Sequence, residues 1–570
     1  MIILGLNLGI HDGAASIFND YSLVAAVQLE RLTRIKGDGN GLNQSCIDEV
    51  LRIAGLSRLE IDAVAFSRAF LPTKHLDLGL KRNIVYALRR RMGADVHKDI
   101  AGELKRSGQP LADRLVKRET LIRELGLRSD VTVFFANHHF SHALSSLFYT
   151  ECENALLYTA DGCGDNVHYS VRFFDGKQIT PFYGDDRWLL RDREINSLGL
   201  AYGYATQSLG YKINRHEGKL TGLAAFGKPT LYESLSSHFT VTDDGVIHSR
   251  FASFEAMKNQ IRDLSKDEEP ANVAASIQKL LEDYVSDSVC RFVEQTGAEH
   301  LALAGGVFAN VSLNRILGER TGVKDFFIFP GMGDEGLAIG NVLHYLLAKD
   351  GLVNWMKSRR HLQNVYWGGD YSRDLQAALS SSDDLKQIAG SPADIAAQKL
   401  ADGAVGAIYE GRTEFGPRAL GARSILARPS DKNINAELND RLQRTEFMPF
   451  APVVLEQTAQ DVFNINESNA YACRFMTVTC DVKSQWRERI PAVVHIDGTA
   501  RPQTISRSQN PLYHDVLERF YEVTGIPVLV NTSFNAHEEP IINSPSEALA
   551  ALRTNRVDFL ISRFGVFERQ

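Results

Sequence analysis

No stretch of this chain approaches the ~18–20 consecutive apolar residues that a membrane-spanning helix needs, so a membrane protein of that kind is not expected. Cysteine is scarce. Cys46, Cys152, Cys163, Cys290, Cys473 and Cys480 never form a CxxC pair, which excludes a zinc knuckle or a disulfide framework and reads as buried or free thiols in a reducing compartment. An excess of positive charge is also missing. The formal net charge is -7, which argues against a nucleic-acid partner and its broad basic face, while leaving room for a local basic pocket. There is no cationic leader: MIILGLNLGIHDG enters an apolar run directly, and Asn7, His11 and Asp12 interrupt it. That run reads as a strand rather than a signal peptide, and the expected compartment is the cytoplasm. No HExxH or P-loop spacing occurs, so HHFSH lacks the glutamate base of a zinc protease and HEGKLTGLAAFGKP is not a Walker motif.

With 570 residues, the chain exceeds the ~250–300 residues at which a single core stops growing, so two domains are expected. Residues 2–27 read strand, Gly/His/Asp turn, strand, and residues 154–174 (ALLYTA, DGCGDN, VHYSVRFF) repeat that order. A duplicated unit with a ligand between its copies accounts for this; two unrelated hairpins account for it equally. Between them, roughly 70–130, lies a basic segment including KRNIVYALRRRMG, which reads as a solvated helical face. Apolar residues recur at helical spacing over 271–296, with Gly297 as a stop; a strand (LALAG), the turn GGVFAN and a second helix follow. Strand, glycine turn and helix N-terminus form an arrangement that receives nucleotide phosphates, although GGVxxN alone is a weak signal. Periodicity is lost over 350–370, which places a domain boundary near 358–366. The second domain is expected to open with a helix at about 392–402, followed by the strand AVGAIYEG.

Four constellations carry chemistry. In NHHFSHALSSLFY, His138 and His142 are four apart and share a helix face; His139 could equally be the ligand of that pair. Asp161 and Asp334 lie in Gly-rich turns after apolar strands. Two His with Asp form a mixed N/O set that suits Fe, Mn or Zn better than Mg or Ca. At the N-terminal turn, His11 is a candidate general base and Asp12 its partner or a turn cap; Arg31, Arg34 and Lys36 follow, either as anion ligands or as ordinary surface cations. Lys219 stands alone among glycines in HEGKLTGLAAFG. The second domain adds Arg412, Arg418, Arg423, Arg441, Arg444, Glu446 and Arg501 in Gly/Pro-rich loops, with Asn531, Ser533 and Asn535 just after a strand. Arginine forks with small hydroxyl and amide groups suit an oxyanion.

GIHDGAASI, HHFSHA, TADGCGD, EGKLTGLAAFG, GGVFANV, GPRALGARS, RTEFMPFAPV, TARPQT and NTSFNAHEEPI occur in that order. The chain thereby resembles the NodU/CmcH-type O-carbamoyltransferases over nearly its whole length, apart from parts of 70–130 and 235–270. The resemblance implies an α/β and α+β protein of two domains. Residues 1–358 would be a duplicated actin/hexokinase-like (ASKHA) domain similar to the threonylcarbamoyl transferases, and residues 362–570 a YrdC-like twisted-sheet domain that makes carbamoyl-adenylate. It implies ATP with Mg, carbamoyl phosphate as co-substrate, and Fe(II) or another divalent transition metal. The expected partner is a small hydroxylated acceptor, with neither nucleic acid nor membrane; homodimer formation is left open.

Carried over by motif, His138, His142, Asp161 and Asp334 become the metal site. His11 and Asp12 become acceptor-activating residues, with Lys36 steadying the carbamoyl oxygen or phosphate. Lys219, Gly305, Gly306 and Asn310 become nucleotide contacts, and Arg418, Arg444, Arg501, Ser533 and Asn535 the grip on carbamoyl phosphate and ATP. One departure concerns that grip: many relatives carry VKxREWFRPFAP where this chain has LQRTEFMPFAP, so Arg441 or Arg444 must stand in for the missing basic residues. His537 and Glu538 likewise replace an Arg or a Gly-Glu pair. Competing readings are a tRNA-modifying enzyme, a metal-dependent protease and a non-catalytic nucleotide-binding module.

Overall fold

The computed structural model describes residues 1–9, 11–39, 41–67, 116–165, 167–185, 194–444 and 448–570, with single positions between 68 and 115. Glu446 and almost all of KRNIVYALRRRMG lie outside the described residues.

Near-continuous apolar runs at the N-terminus form buried strands. β1 (Ile2–Asn7), β2 (Ala14–Asn19), β3 (Ser22–Gln28), β4 (Ala63–Ser67) and β5 (Thr132–Ala136) build a sheet of order β3-β2-β1-β4-β5. β1, β2 and β3 pair antiparallel, whereas β1, β4 and β5 run parallel. The same plan then recurs. β6 (Ala155–Gly164), β7 (Val167–Phe174) and β8 (Ile179–Tyr183) form the antiparallel part, followed by a small β9 (Phe239–Val241) and β10 (Ile247–Ser249) ribbon. β11 (His300–Ala304) and β12 (Asp325–Ile328) complete the order β8-β7-β6-β11-β12. The pairing senses match those of the first sheet. Order and sense repeated across five strands establish a duplicated unit, as expected of the actin/hexokinase-like domain that the resemblance implies, and two unrelated hairpins no longer account for the repeat. β6 runs on through Asp161 to Gly164 with an irregularity after Ala160, so the expected turn is part of the strand.

Helix His138–Phe148 and the segment Leu337–Lys357, two helical stretches that break at Gly351 (φ 75°), pack together between the two sheets. Ser16 Oγ donates to Ala338 O at 2.7 Å and Ser146 Oγ to Leu303 O at 2.7 Å, tying one helix to each sheet. The long helix Pro270–Thr296 begins with proline in its first turn and ends on Gly297 at φ 64°, the left-handed cap that glycine accepts without strain.

Helix Leu337–Lys357 ends before β13 (Tyr366–Asp370). The helix expected at 392–402 is present as Pro392–Ala401, but it does not open the second domain. β13, a helix Ser372–Ser380 and β14 (Leu385–Ile388) precede it, and the Gly-Gly-Asp end of β13 carries no periodic signal. β15 (Gly406–Tyr409), β16 (Arg412–Glu414), β17 (Arg423–Ala427), β18 (Ala451–Leu455), β19 (Cys480–Asp481), β20 (Thr499–Ala500), β21 (Gln503–Ile505), β22 (Val528–Ser533), β23 (Phe559–Ser562) and β24 (Gly565–Arg569) follow. Eight of these strands form a mixed sheet of order β14-β24-β23-β15-β17-β22-β18-β21, while β13 pairs with β16 and β19 with β20. Side chains alternate across that sheet: Ile408 and Leu426 join the core under helices Pro392–Ala401 and Pro511–Thr524, while Ala407, Tyr409, Ile425 and Ala427 join the core on the opposite face.

Candidate functional site

Helix His138–Phe148 starts directly after β5, where Asn137 Oδ1 accepts from Phe140 N at 2.8 Å and caps it. One turn of helix aligns His138 and His142 toward the end of β6 and the turn at Asp334. His142 Nε2 lies 3.1 Å from Asp161 Oδ2 and 3.5 Å from Asp334 Oδ1; His138 Nε2 lies 3.5 Å from each. One donor atom from each of the four residues falls within 4.8 Å of the others. Both ring nitrogens of both histidines, and Asp161 Oδ2, are buried without a hydrogen-bond partner. Buried polar atoms are rarely left this way, and a convergent two-nitrogen, two-oxygen set fits a divalent transition metal. Burial disfavours a charged His142, but Asp161 and Asp334 outweigh it and push its pKa up to about 9. His139, the alternative ligand, faces elsewhere: its ring nitrogens lie 2.9 Å from Thr159 Oγ1 and 3.2 Å from Val167 O. Gly164 makes room for the site, because a Cβ there would run into the His138 ring.

The N-terminal turn stands beside this cluster. His11 Nε2 is 3.9 Å from Asp334 Oδ2, and His11 Nδ1 is 2.9 Å from Asp12 Oδ2. Asp12 adopts φ 54°, held there as Asn7 Nδ2 donates to its carbonyl at 2.8 Å and its own N–H donates to Gly37 O at 3.1 Å. Burial opposes charge on His11, yet Asp12 and then Asp334 lift it to about 9.

A cavity of about 240 Å³ lies between the domains. The first domain contributes Lys36, Arg215, His216, Lys219 and Ala309, and the second Arg418, Arg444, Arg501, Ser533, Asn535, His537 and Glu538. Six of these are Lys or Arg and one is Glu, so the cavity is built for anionic groups although the whole chain is acidic. Its link to the buried cluster is the turn Gly306–Ala309 after β11. Asp161 Oδ1 accepts from Gly306 N at one end of the turn, and Arg418 donates to Ala309 O at 3.3 Å at the other. Gly305 precedes the turn at φ 103°, and a side chain there would strike Ala160 O. Asn310 caps the next helix through Leu313 N at 3.0 Å and donates to Gln278 at 2.8 Å, so its side chain is engaged within the protein.

The arginines separate by role. Arg444 reaches the loop after β22, donating to Thr532 Oγ1 at 2.8 Å, Ser533 O at 2.8 Å, Ser533 Oγ at 3.1 Å, Asn535 O at 2.7 Å and Asn535 Oδ1 at 2.8 Å. Arg441 instead pairs with Asp558 at 2.8 Å and Glu437 at 2.6 Å, away from the cavity lining. Arg412 donates to the carbonyls of Val24, Trp367 and Gly368. Arg423 is fully buried, its guanidinium 3.6 Å from the Tyr409 ring centroid. Arg31 and Arg34 are neither anion ligands nor surface cations: they donate to Gly416 O and to the carbonyls of Pro540 and Ile541 across the domain boundary. Two residues escaped sequence reasoning. Arg215 lines the cavity. Glu414, buried, accepts from the N–H groups of Leu420, Ala422 and Arg423 at 3.0–3.1 Å and shapes the GPRALGARS loop; its place two residues before Gly416 in RTEFG was the available signal.

Residues 2–343 match the family model described as Carbamoyltransferase N-terminus, and residues 397–568 that described as Carbamoyltransferase C-terminus. Nodulation protein NolNO of Sinorhizobium fredii (strain NGR234) is 33% identical, covering 97% of this chain and 78% of that protein. An uncharacterized protein of Methanocaldococcus jannaschii is 30% identical over 96% of each. Among solved structures, HypF of T. kodakarensis superposes with a TM-score of 0.34 at 14% identity, covering 62% of this chain and 48% of that one.

Proposed function

Because this chain belongs to the carbamoyltransferase family, and is therefore a transferase enzyme, we propose that it moves a carbamoyl group from carbamoyl phosphate, through an ATP-derived carbamoyl-adenylate, to a hydroxyl of a small natural product or glycoside. The observation that carries this reading is the interdomain cavity, where Lys36 and Lys219 from one domain face Arg418, Arg444, Arg501, Ser533 and Asn535 from the other.

In the first half-reaction, carbamoyl phosphate, water and ATP give carbamoyl-AMP, pyrophosphate and phosphate, in the domain that the resemblance calls YrdC-like. The arginines and Ser533 oppose the negative charge that gathers on the phosphates, and a preformed set of cations costs no reorganisation as it develops. Carbamoyl-AMP hydrolyses readily, so forming it in a cavity walled by both domains limits its loss to water. In the second half-reaction an acceptor hydroxyl attacks the carbamoyl carbon and AMP leaves.

His138, His142, Asp161 and Asp334 would hold the metal, which when bound supplies Lewis-acid charge beside the leaving nucleotide. His11 takes the acceptor proton, and Asp12 fixes its ring. A cation at the cluster would offset the Asp334 charge and so lower the His11 pKa, while the hydrogen bond to Asp12, the larger cause of its rise, stays in place. Lys36 steadies the carbamoyl oxygen.

The test is to incubate the protein with ATP, Mg²⁺ and carbamoyl phosphate without acceptor. Pyrophosphate that depends on carbamoyl phosphate is expected. ADP, or no turnover with any hydroxylated metabolite added, overturns the reading.

A further inference from the structure

The loop that follows β22 is gripped from the first domain at two points, one from each copy of the duplicated unit. Arg34, just after β3, donates to the carbonyls of Pro540 and Ile541 at 2.8 Å each, and its Nε pairs with Glu547. From the second copy, Lys212 donates to Glu538 Oε2 at 2.9 Å, and His216 Nε2 lies 2.6 Å from Glu538 Oε1. Glu538, held by the second of these grips, is at φ 61°, a left-handed conformation unfavourable to a non-glycine residue unless its surroundings hold it.

The segment bearing Arg34 is bonded on its other side to the turn of His11 and Asp12. Asp12 N donates to Gly37 O at 3.1 Å and Gly13 N to Asp38 O at 2.7 Å, while Gly37 N donates to Glu30 Oε2 at 2.7 Å. The same segment holds the GPRALGARS loop: Gly416 N donates to Gln28 Oε1 at 3.0 Å, and Arg31 donates to Gly416 O at 2.7 Å. Residues 28–38 therefore connect the His11–Asp12 turn to two of the second-domain loops that line the cavity. Arg34 itself is not among the cavity-lining residues. Within the loop its two partners are backbone carbonyls, so that contact depends on the path of the loop rather than on its side chains.

We infer that Arg34 is a positioning residue that keeps the 533–542 loop in register with the His11–Asp12 turn, so that an adenylate formed on that loop is retained for the acceptor instead of being released to water. This rests on the carbamoyl-adenylate reading above. The leak it guards against is balanced: carbamoyl-AMP and water give AMP and carbamate.

The experiment needs no acceptor. Wild type, Arg34→Ala and Arg34→Lys are given ATP, Mg²⁺ and carbamoyl phosphate, and first-turnover pyrophosphate and steady AMP release are followed by rapid quench. In wild type a pyrophosphate burst precedes slow AMP release. Arg34→Ala keeps the burst amplitude but releases AMP about tenfold faster or more, the order expected when a reacting group loses its fixed position. Arg34→Lys keeps a cation beside Glu547 but lacks the fork that spans two carbonyls, so it leaks as well; should the alanine variant fail to fold, the lysine variant carries the test. AMP release at the wild-type rate overturns the inference, and so does parallel loss of burst and release, which marks general damage to the loop. Absence of carbamoyl-phosphate-dependent pyrophosphate from wild type removes the adenylate reading itself, and the inference with it.

Discussion

Arg444 is the residue on which the second-domain site turns. Its guanidinium spans Thr532, Ser533 and Asn535 through five contacts of 2.7–3.1 Å. Removing it leaves two backbone carbonyls and three side-chain oxygens to be satisfied by water at the edge of the cavity. A hydrogen bond from a charged donor contributes roughly 1.5–3 kcal/mol, and such contributions do not add when several share one nitrogen. Arg444→Ala should therefore cost about 2–4 kcal/mol at the adenylation step, or roughly 30- to 1,000-fold in kcat/KM. Arg444→Lys retains the charge but replaces a planar fork with a point donor on a shorter reach; a loss of about 10- to 100-fold is expected. The assay is carbamoyl-phosphate-dependent pyrophosphate release, with kcat and KM determined separately for ATP and carbamoyl phosphate. Because the loop holding Ser533 and Asn535 is the affected part, both KM values should rise along with the fall in kcat, and added guanidinium should partly restore the alanine variant. An Arg444→Lys enzyme with wild-type kcat and both KM values within twofold would refute the argument, since charge alone would then suffice and the fork would be incidental.

Three further outcomes are expected. His142→Ala should lose bound transition metal, whereas His139→Asn should keep it, as read by metal analysis after gel filtration; at a free-metal concentration of 100 times Kd, binding stabilises by about 2.7 kcal/mol, so a chelator should lower the melting temperature of His139→Asn but not of His142→Ala. Gly164→Ala should cost about 1–3 kcal/mol of stability through overpacking and should lower metal occupancy, because its methyl group displaces the His138 ring. Burial raises the pKa of Glu538, but Lys212 and His216 outweigh it and hold the carboxyl at about 2, below the ~4.3 of an unfolded glutamate. Its contribution to stability is thus complete above ~4.3 and is lost as pH falls toward 2; Glu538→Gln should flatten that window in melts recorded as a function of pH.

Much of the fold was legible because it depends on local pattern. The runs IILGLN and ALLYTA announce buried strands, and the spacing of Val273, Ile277, Leu280 and Leu281 announces a helix that Gly297 stops. The shared face of His138 and His142 was legible for the same reason, since four residues make one helical turn wherever the helix lies. β13 was missed because Trp-Gly-Gly-Asp has no alternation to detect. Glu414 was missed because a single acid beside a Gly-rich loop looks like any solvated carboxylate until its burial is seen.

By itself, then, the sequence determined most of the buried strands, the long helix, and the residue types able to bind a metal and an anion. All of these follow from short-range periodicity and from side-chain chemistry. Only the tertiary structure shows that His142 and not His139 converges with Asp161 and Asp334, that Arg444 and not Arg441 lines the cavity, and that Arg31 and Arg34 are struts between the domains. These choices depend on which residues distant along the chain come to lie opposite, more than a hundred positions away for three of them: Asp334 for His142, Asp558 for Arg441, Ile541 for Arg34. Arg444 is the nearest case, meeting a loop about 90 residues on. Spacing along a chain carries no information about such encounters; they are set by how two sheets and their helices pack.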